Sequence, residues 1–187
     1  MRTSLAAASV VLAAALLSGC GYTMGSSLDP KYQTIHVAAF QNRSREYDLQ
    51  APLTNAVIRK FLNDGRLRVV GPGEADLIVT GTILDYSLNG LTFDDDDEVT
   101  QFQTFVTASV QVIDARMDQV LWEEAKLVGQ TSYVTAATGG SSDRLRGNSQ
   151  AFLSAVRSFQ TDEENQAASE ALERLAADIF YRTVEPW

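Results

Sequence analysis

The chain has 187 residues, 45% of them hydrophobic and 21% charged, with a formal net charge of -9 and a single cysteine. That length suits one domain able to bury a sizeable core. The acidic balance argues against nucleic acid as a partner, because phosphate recognition needs clustered Lys and Arg. One cysteine excludes a disulfide framework.

At the N-terminus, Arg2 is followed by an apolar run from Leu5 to Leu17, interrupted only by Ser9. A membrane-spanning helix needs about 20 apolar residues, so this run is too short to cross. It matches the h-region of a secretory signal peptide. Leu17-Ser18-Gly19-Cys20 then places small residues ahead of the cysteine. This is the bacterial lipobox pattern: a peptidase cuts before Cys20, whose sulfur carries diacylglycerol. The expectation is a cleaved signal peptide over 1–19, a lipidated tether over 20–33 and a single α/β sandwich domain over 34–187. Gly21 to Gln33 reaches at most about 45 Å when fully extended, so the domain stays near its membrane.

Thr34 to Phe40 reads as a strand, apolar on both faces and therefore central. A helix follows, with Asp48 as a candidate N-cap and Pro52 tolerated in the first turn. Leu49, Leu53, Ala56, Val57 and Phe61 form its apolar stripe, and Gly65 suits the left-handed position that ends it. Arg66 to Val70 is a short strand and Asp76 to Leu88 a longer one, with a turn or bend expected at Asn89-Gly90. From Phe102 to Ile113, Val106, Ala108, Val110 and Val112 line one face. Phe105, Thr107, Ser109 and Gln111 line the other, more polar face, a pattern of one-sided burial. Asp114 to Gln119 forms a hairpin connection and Val120 to Tyr133 returns. Residues 135–149 read as a loop, Gln150 to Phe159 as a helical turn or two, and Asp162 to Val184 as a long amphipathic helix. The order predicts an α+β, two-layer sandwich: a mixed, mostly antiparallel sheet of four to five strands, with two long helices on one face.

Catalytic chemistry is missing from this pattern. His36, the only histidine, lies inside a strand and reads as a half-buried strand residue. Without a second histidine or a free thiol, the usual zinc ligand sets cannot form. Gly71-Pro72-Gly73 and Gly139-Gly140 lack the lysine and helix of a phosphate loop and read as turns. Asp94 to Glu98 offers the oxygen chemistry of calcium, but an EF-hand loop spaces its acids around a glycine. The run reads instead as a solvated hairpin tip. No catalytic residue, metal site or cofactor is assigned, and a binding or assembly role remains.

Several segments carry a family resemblance. They are Cys20-Gly21-Tyr22, the stretch Ile35 to Arg43, Leu53 to Ile58, Gly65 to Val70, Glu74 to Gly81, and a C-terminal helix ending at Trp187. In this order, behind a lipobox, they resemble the lipopolysaccharide-assembly lipoprotein family, LptE. The resemblance implies two helices on a mixed sheet. It also implies attachment to the inner leaflet of the outer membrane, and association with the large β-barrel LptD. The implied function is to support assembly of that barrel and the transport of lipopolysaccharide into the outer membrane. Gly21 after the lipidated cysteine fits outer-membrane delivery. Family members contact lipopolysaccharide phosphates through basic residues near sheet tips, which makes Arg116, Lys126, Arg144 and Arg146 the candidates here. The acidic run 94–98 would repel phosphate at such a tip unless divalent cations bridged the two. The rival readings are a lipoprotein activator of a peptidoglycan synthase, which needs a longer linker than this tether, and another envelope-assembly or export lipoprotein.

Overall fold

The computed structural model describes residues 28–93, 99–134 and 162–185. The signal peptide, Cys20, the acidic run 94–98, the segment 135–161 with Arg144 and Arg146, and Trp187 lie outside the described residues. The elements are β1 (Thr34–Val37), β2 (Gln41–Asn42), α1 (Gln50–Asp64), β3 (Arg68–Val69), β4 (Leu77–Phe93), β5 (Val99–Asp114), β6 (Gln119–Val134) and α2 (Asp162–Val184). They form one mixed sheet in the order β3-β1-β4-β5-β6, with the two-residue β2 also paired to β4. β1 runs parallel to β3 and β4, whereas β4, β5 and β6 form an antiparallel meander. A helical crossover is what lets two parallel neighbours such as β1 and β3 be joined, and α1 supplies it.

Both helices pack on one face of this sheet, as the sequence pattern predicts. Leu53, Ala56, Val57 and Phe61 of α1 are buried, as are Ala171, Leu172, Leu175, Ala176 and Ile179 of α2. Beneath them lie Ile35, Val37, Leu77, Val79, Ile83 and the alternating Val106, Ala108, Val110 and Val112. The two helices meet through Phe61 and Phe180, edge to face at 5.2 Å. Gly129 on β6 lets α2 come close: a Cβ there would stand 2.8 Å from the Leu175 Cβ and collide with the Ala171 carbonyl.

Four expectations change. β1 ends at Val37: the Ala38 N–H still donates to the Val79 carbonyl, but the Phe40 N–H turns to the Thr54 hydroxyl before the chain rejoins β4 as β2 at Gln41. Asp48 does not cap α1. It adopts a left-handed φ of 58°, and Leu49 takes the cap position without any side-chain hydrogen bond, burying its own side chain completely. Asn89-Gly90 is no turn: β4 continues through it, with a register shift between Gly90 and Thr92. Gly90 serves close approach there, since a Cβ would lie 3.0 Å from Val99. The stretch read as tether up to Gln33 is already structural from Leu28, with Tyr32 buried in the core cluster. Gly65, by contrast, ends α1 with φ 76° and donates its N–H to the Phe61 carbonyl, as expected.

Strand length sets what stays uncovered. β4 has 17 residues and spans about 55 Å, while α1, with 15 residues, spans about 22 Å. The far end of the meander therefore runs well past α1, and burial along β4 fades beyond Ile83.

Candidate functional site

The face of the sheet opposite the helices carries the first candidate surface. Because side chains alternate along a strand, burying Val106, Ala108, Val110 and Val112 forces Phe105, Thr107, Ser109 and Gln111 to the other side, where they stay half-buried. Register then fixes their neighbours. Ser87, Asp85, Thr82 and Thr80 of β4 stand opposite them on one side, with Gln130, Val128 and Glu123 of β6 on the other. On β6, Ala125 and Lys126 together stand opposite Ser109, a bulge that breaks the ladder. The Gln111 amide points at Glu123, Nε2 to Oε2 3.5 Å. The result is a broad surface of hydroxyl and amide groups with few charges. It suits a partner that offers hydrogen-bond donors and acceptors.

The second feature is a polar staple where the described chain begins. The Asp76 carboxylate, 6% exposed, accepts backbone hydrogen bonds from Gln33 and Thr34 at 2.9 and 3.0 Å. It also pairs with the Arg116 guanidinium. These partners, the Gln33 N–H foremost, outweigh burial and bring its pKa down to about 2. Asp114 accepts the Tyr32 hydroxyl at 2.8 Å, and its other oxygen accepts the Arg116 and Met117 N–H groups. That hydroxyl is the main cause holding the Asp114 carboxyl below its ordinary value. The staple thus ties Tyr32, β1, the start of β4 and the β5–β6 turn into one unit.

The basic residues singled out from the sequence do not converge. Arg116 is committed to Asp76 at the stapled end. Lys126 sits at the β6 bulge, about 20 Å further along the sheet, and forms no ion pair among the described residues. Phe93 and Val99, which flank the acidic run, pair at the opposite end of the sheet from Arg116. Arg144 and Arg146 lie outside the described residues. His36 is half-buried in β1 with Nδ1 3.0 Å from the Val70 carbonyl oxygen, the strand role expected of it. Among the described residues no group of three or more His, Cys, Asp or Glu gathers as a metal site. No described helix is long and apolar enough to cross a membrane.

The family model for LptE, described as lipopolysaccharide-assembly, matches residues 32–183. The chain belongs to the LptE family. Its membership places it in a non-enzymatic family of the lipopolysaccharide-transport machinery in the Gram-negative envelope. No curated protein sequence matches the chain. Among solved structures it is similar to a hypothetical protein from Chlamydia trachomatis, at 14% identity and TM-score 0.48, covering 81% of this chain and 98% of that one. It is also similar to a lipoprotein from Neisseria meningitidis, at 12% identity and TM-score 0.40, covering 60% and 92%. A third is an uncharacterized lipoprotein B from Nitrosomonas europaea, at 12% identity and TM-score 0.40, covering 84% and 94%.

The segments that carry the LptE resemblance now have physical content. In Glu74 to Gly81, Asp76 anchors the start of β1, while Gly81 makes room for the Phe40 ring, with which a Cβ would collide. In Phe40-Gln41-Asn42, the Asn42 amide donates to the Glu46 carbonyl at 2.7 Å and its oxygen accepts the Ser44 N–H at 3.0 Å, closing the loop before α1. Sequence reasoning noted these residues as a pattern but assigned Asp76, Asp114 and Tyr32 no role. An isolated aspartate near a strand start was the signal available.

Proposed function

We propose that this LptE-family chain is an outer-membrane lipoprotein, cleaved after Gly19 and lipidated on Cys20. It associates with an LptD-type β-barrel, supports the assembly of that barrel, and thereby assists insertion of lipopolysaccharide into the outer membrane. The family match over 32–183 carries the reading. The open face of β4, β5 and β6 supports it, because wide transmembrane barrels have polar interiors that hydroxyl and amide side chains can meet. Of the four basic candidates, Lys126 rather than the committed Arg116 is the described one left available to a lipopolysaccharide phosphate. A short anchored tether keeps the domain beside a partner in the same membrane.

The test is recovery of the tagged, lipidated chain from detergent-extracted outer membranes. A large β-barrel is expected to co-purify, identified by mass spectrometry. Correctly localised protein that brings down no barrel would refute the association. Cys20→Ala is expected to accumulate as unprocessed precursor, visible as a larger band on a gel; normal maturation would refute the lipobox.

A further inference from the structure

The stapled end of the sheet carries an apolar tip that the barrel reading does not use. Met117 is 61% exposed, Val120 42% and Leu121 40%. All three fall within one hairpin turn and its first β6 residues. Leu121 is pushed out of the ladder by a register shift between Val112 and Ile113. The turn is rigidly presented: Asp114 Oδ1 accepts the Arg116 and Met117 N–H groups at 2.9 and 3.1 Å, and Asp118 takes a left-handed φ of 51°. Charges of both signs lie around the tip: Lys31 beside Asp29, Arg116 paired with Asp76, and Asp118 in the turn itself. Lys31 and Asp29 pair at 3.4 Å.

The position of this tip relative to the anchor decides its occupant. The described chain begins at Leu28, and Tyr32 is bonded to Asp114 at the base of the same hairpin. Only Cys20 to Ser27 separates that end from the lipidated sulfur, a reach of at most about 30 Å. We propose that the β5–β6 tip rests in the headgroup layer of the leaflet that holds the Cys20 lipid, with zwitterionic phospholipid of the phosphatidylethanolamine type as its partner. This rests on the reading of Cys20 as the anchor. Met117, Val120 and Leu121 enter the boundary between headgroups and acyl chains, where apolar area drives binding. Lys31, on the rim of the tip, faces lipid phosphate, and Asp118 faces the lipid ammonium. A tip whose cations are already paired with carboxylates draws on apolar area rather than on lipid charge and binds with little dependence on salt, unlike the polybasic segments that anionic lipid attracts.

The test uses full-length, lipidated protein reconstituted into vesicles of phosphatidylethanolamine and phosphatidylglycerol. Because acylation consumes Cys20, a nitroxide attached to Met117→Cys or Leu84→Cys reports one site each. Leu84 lies on the open face, about 20 Å along the sheet from the tip. The ratio of oxygen to nickel-chelate accessibility is expected to be several-fold higher at 117 than at 84, and to be unchanged by added salt. Equal, water-like ratios at both sites, in protein whose mass includes the acyl chains on Cys20, would overturn the docking while leaving the anchor intact. A mass without acyl chains would overturn both.

Discussion

The two faces of one sheet meet opposite environments, and the contrast separates stability from recognition in this molecule. Against the helices, β5 presents Val106, Ala108, Val110 and Val112, all fully buried, and β6 gives up a side chain at Gly129 so that α2 can approach. One residue further along each strand, the open face presents Phe105, Thr107, Ser109 and Gln111, which remain half-exposed and touch mostly other polar groups. The first face is fixed by packing and tolerates little change. The second contributes little to folding and is free to serve a partner.

Substitutions can break this contrast, and the largest effect is expected on the covered face. Leu175→Ala empties a fully buried site between α2 and β6 and should cost about 4 kcal/mol, read as a fall in the urea midpoint at constant slope. Gly129→Ala should cost about 3 kcal/mol, because the new methyl meets the Ala171 carbonyl and must push α2 away. Asp76→Asn, at the stapled end, should cost about 2 kcal/mol through the weakened charged hydrogen bonds. The wild-type carboxyl is held below its ordinary value, so its contribution is present above the unfolded value of 3.8 and is lost as pH falls toward about 2. Melting followed against pH should show this acid-side loss in the wild type and a flatter profile in the variant. Smallest in stability, and most informative about function, is Thr107→Glu on the open face. It should cost about 1 kcal/mol, because Asp85 stands directly opposite and like charges repel, while sharply reducing recovery of the barrel. A Thr107→Glu protein that unfolds, or one that keeps its barrel, would erase the proposed division between the faces.

Legibility in the sequence followed the same division. The stripe of α1, the whole of α2 and the alternation along β5 were readable because each reflects one face repeatedly meeting apolar surroundings, at a period of 3.6 or 2. Gly65 was readable because a left-handed helix end favours glycine. Asn89-Gly90 misled, since the same dipeptide that often marks a turn here serves close contact with Val99. Asp48 misled because the burial of Leu49 prevailed over local capping preference. The staple was hidden for another reason. Tyr32, Asp76, Arg116 and Asp114 are far apart in the chain, and no spacing rule connects residues that only the sheet register brings together.

The sequence by itself determined the two-layer α+β architecture, the position of both long helices, and the polarity of each strand face, because these follow from local periodicity and backbone preference. Only the tertiary structure decided that β1 lies between β3 and β4 with the meander beyond. It likewise decided that the chain's entry point is bonded to the β5–β6 turn, and that Arg116 and Lys126 stand apart. Those facts depend on which distant segments pair, and pairing is settled by the joint burial of many side chains rather than by any one stretch of the chain.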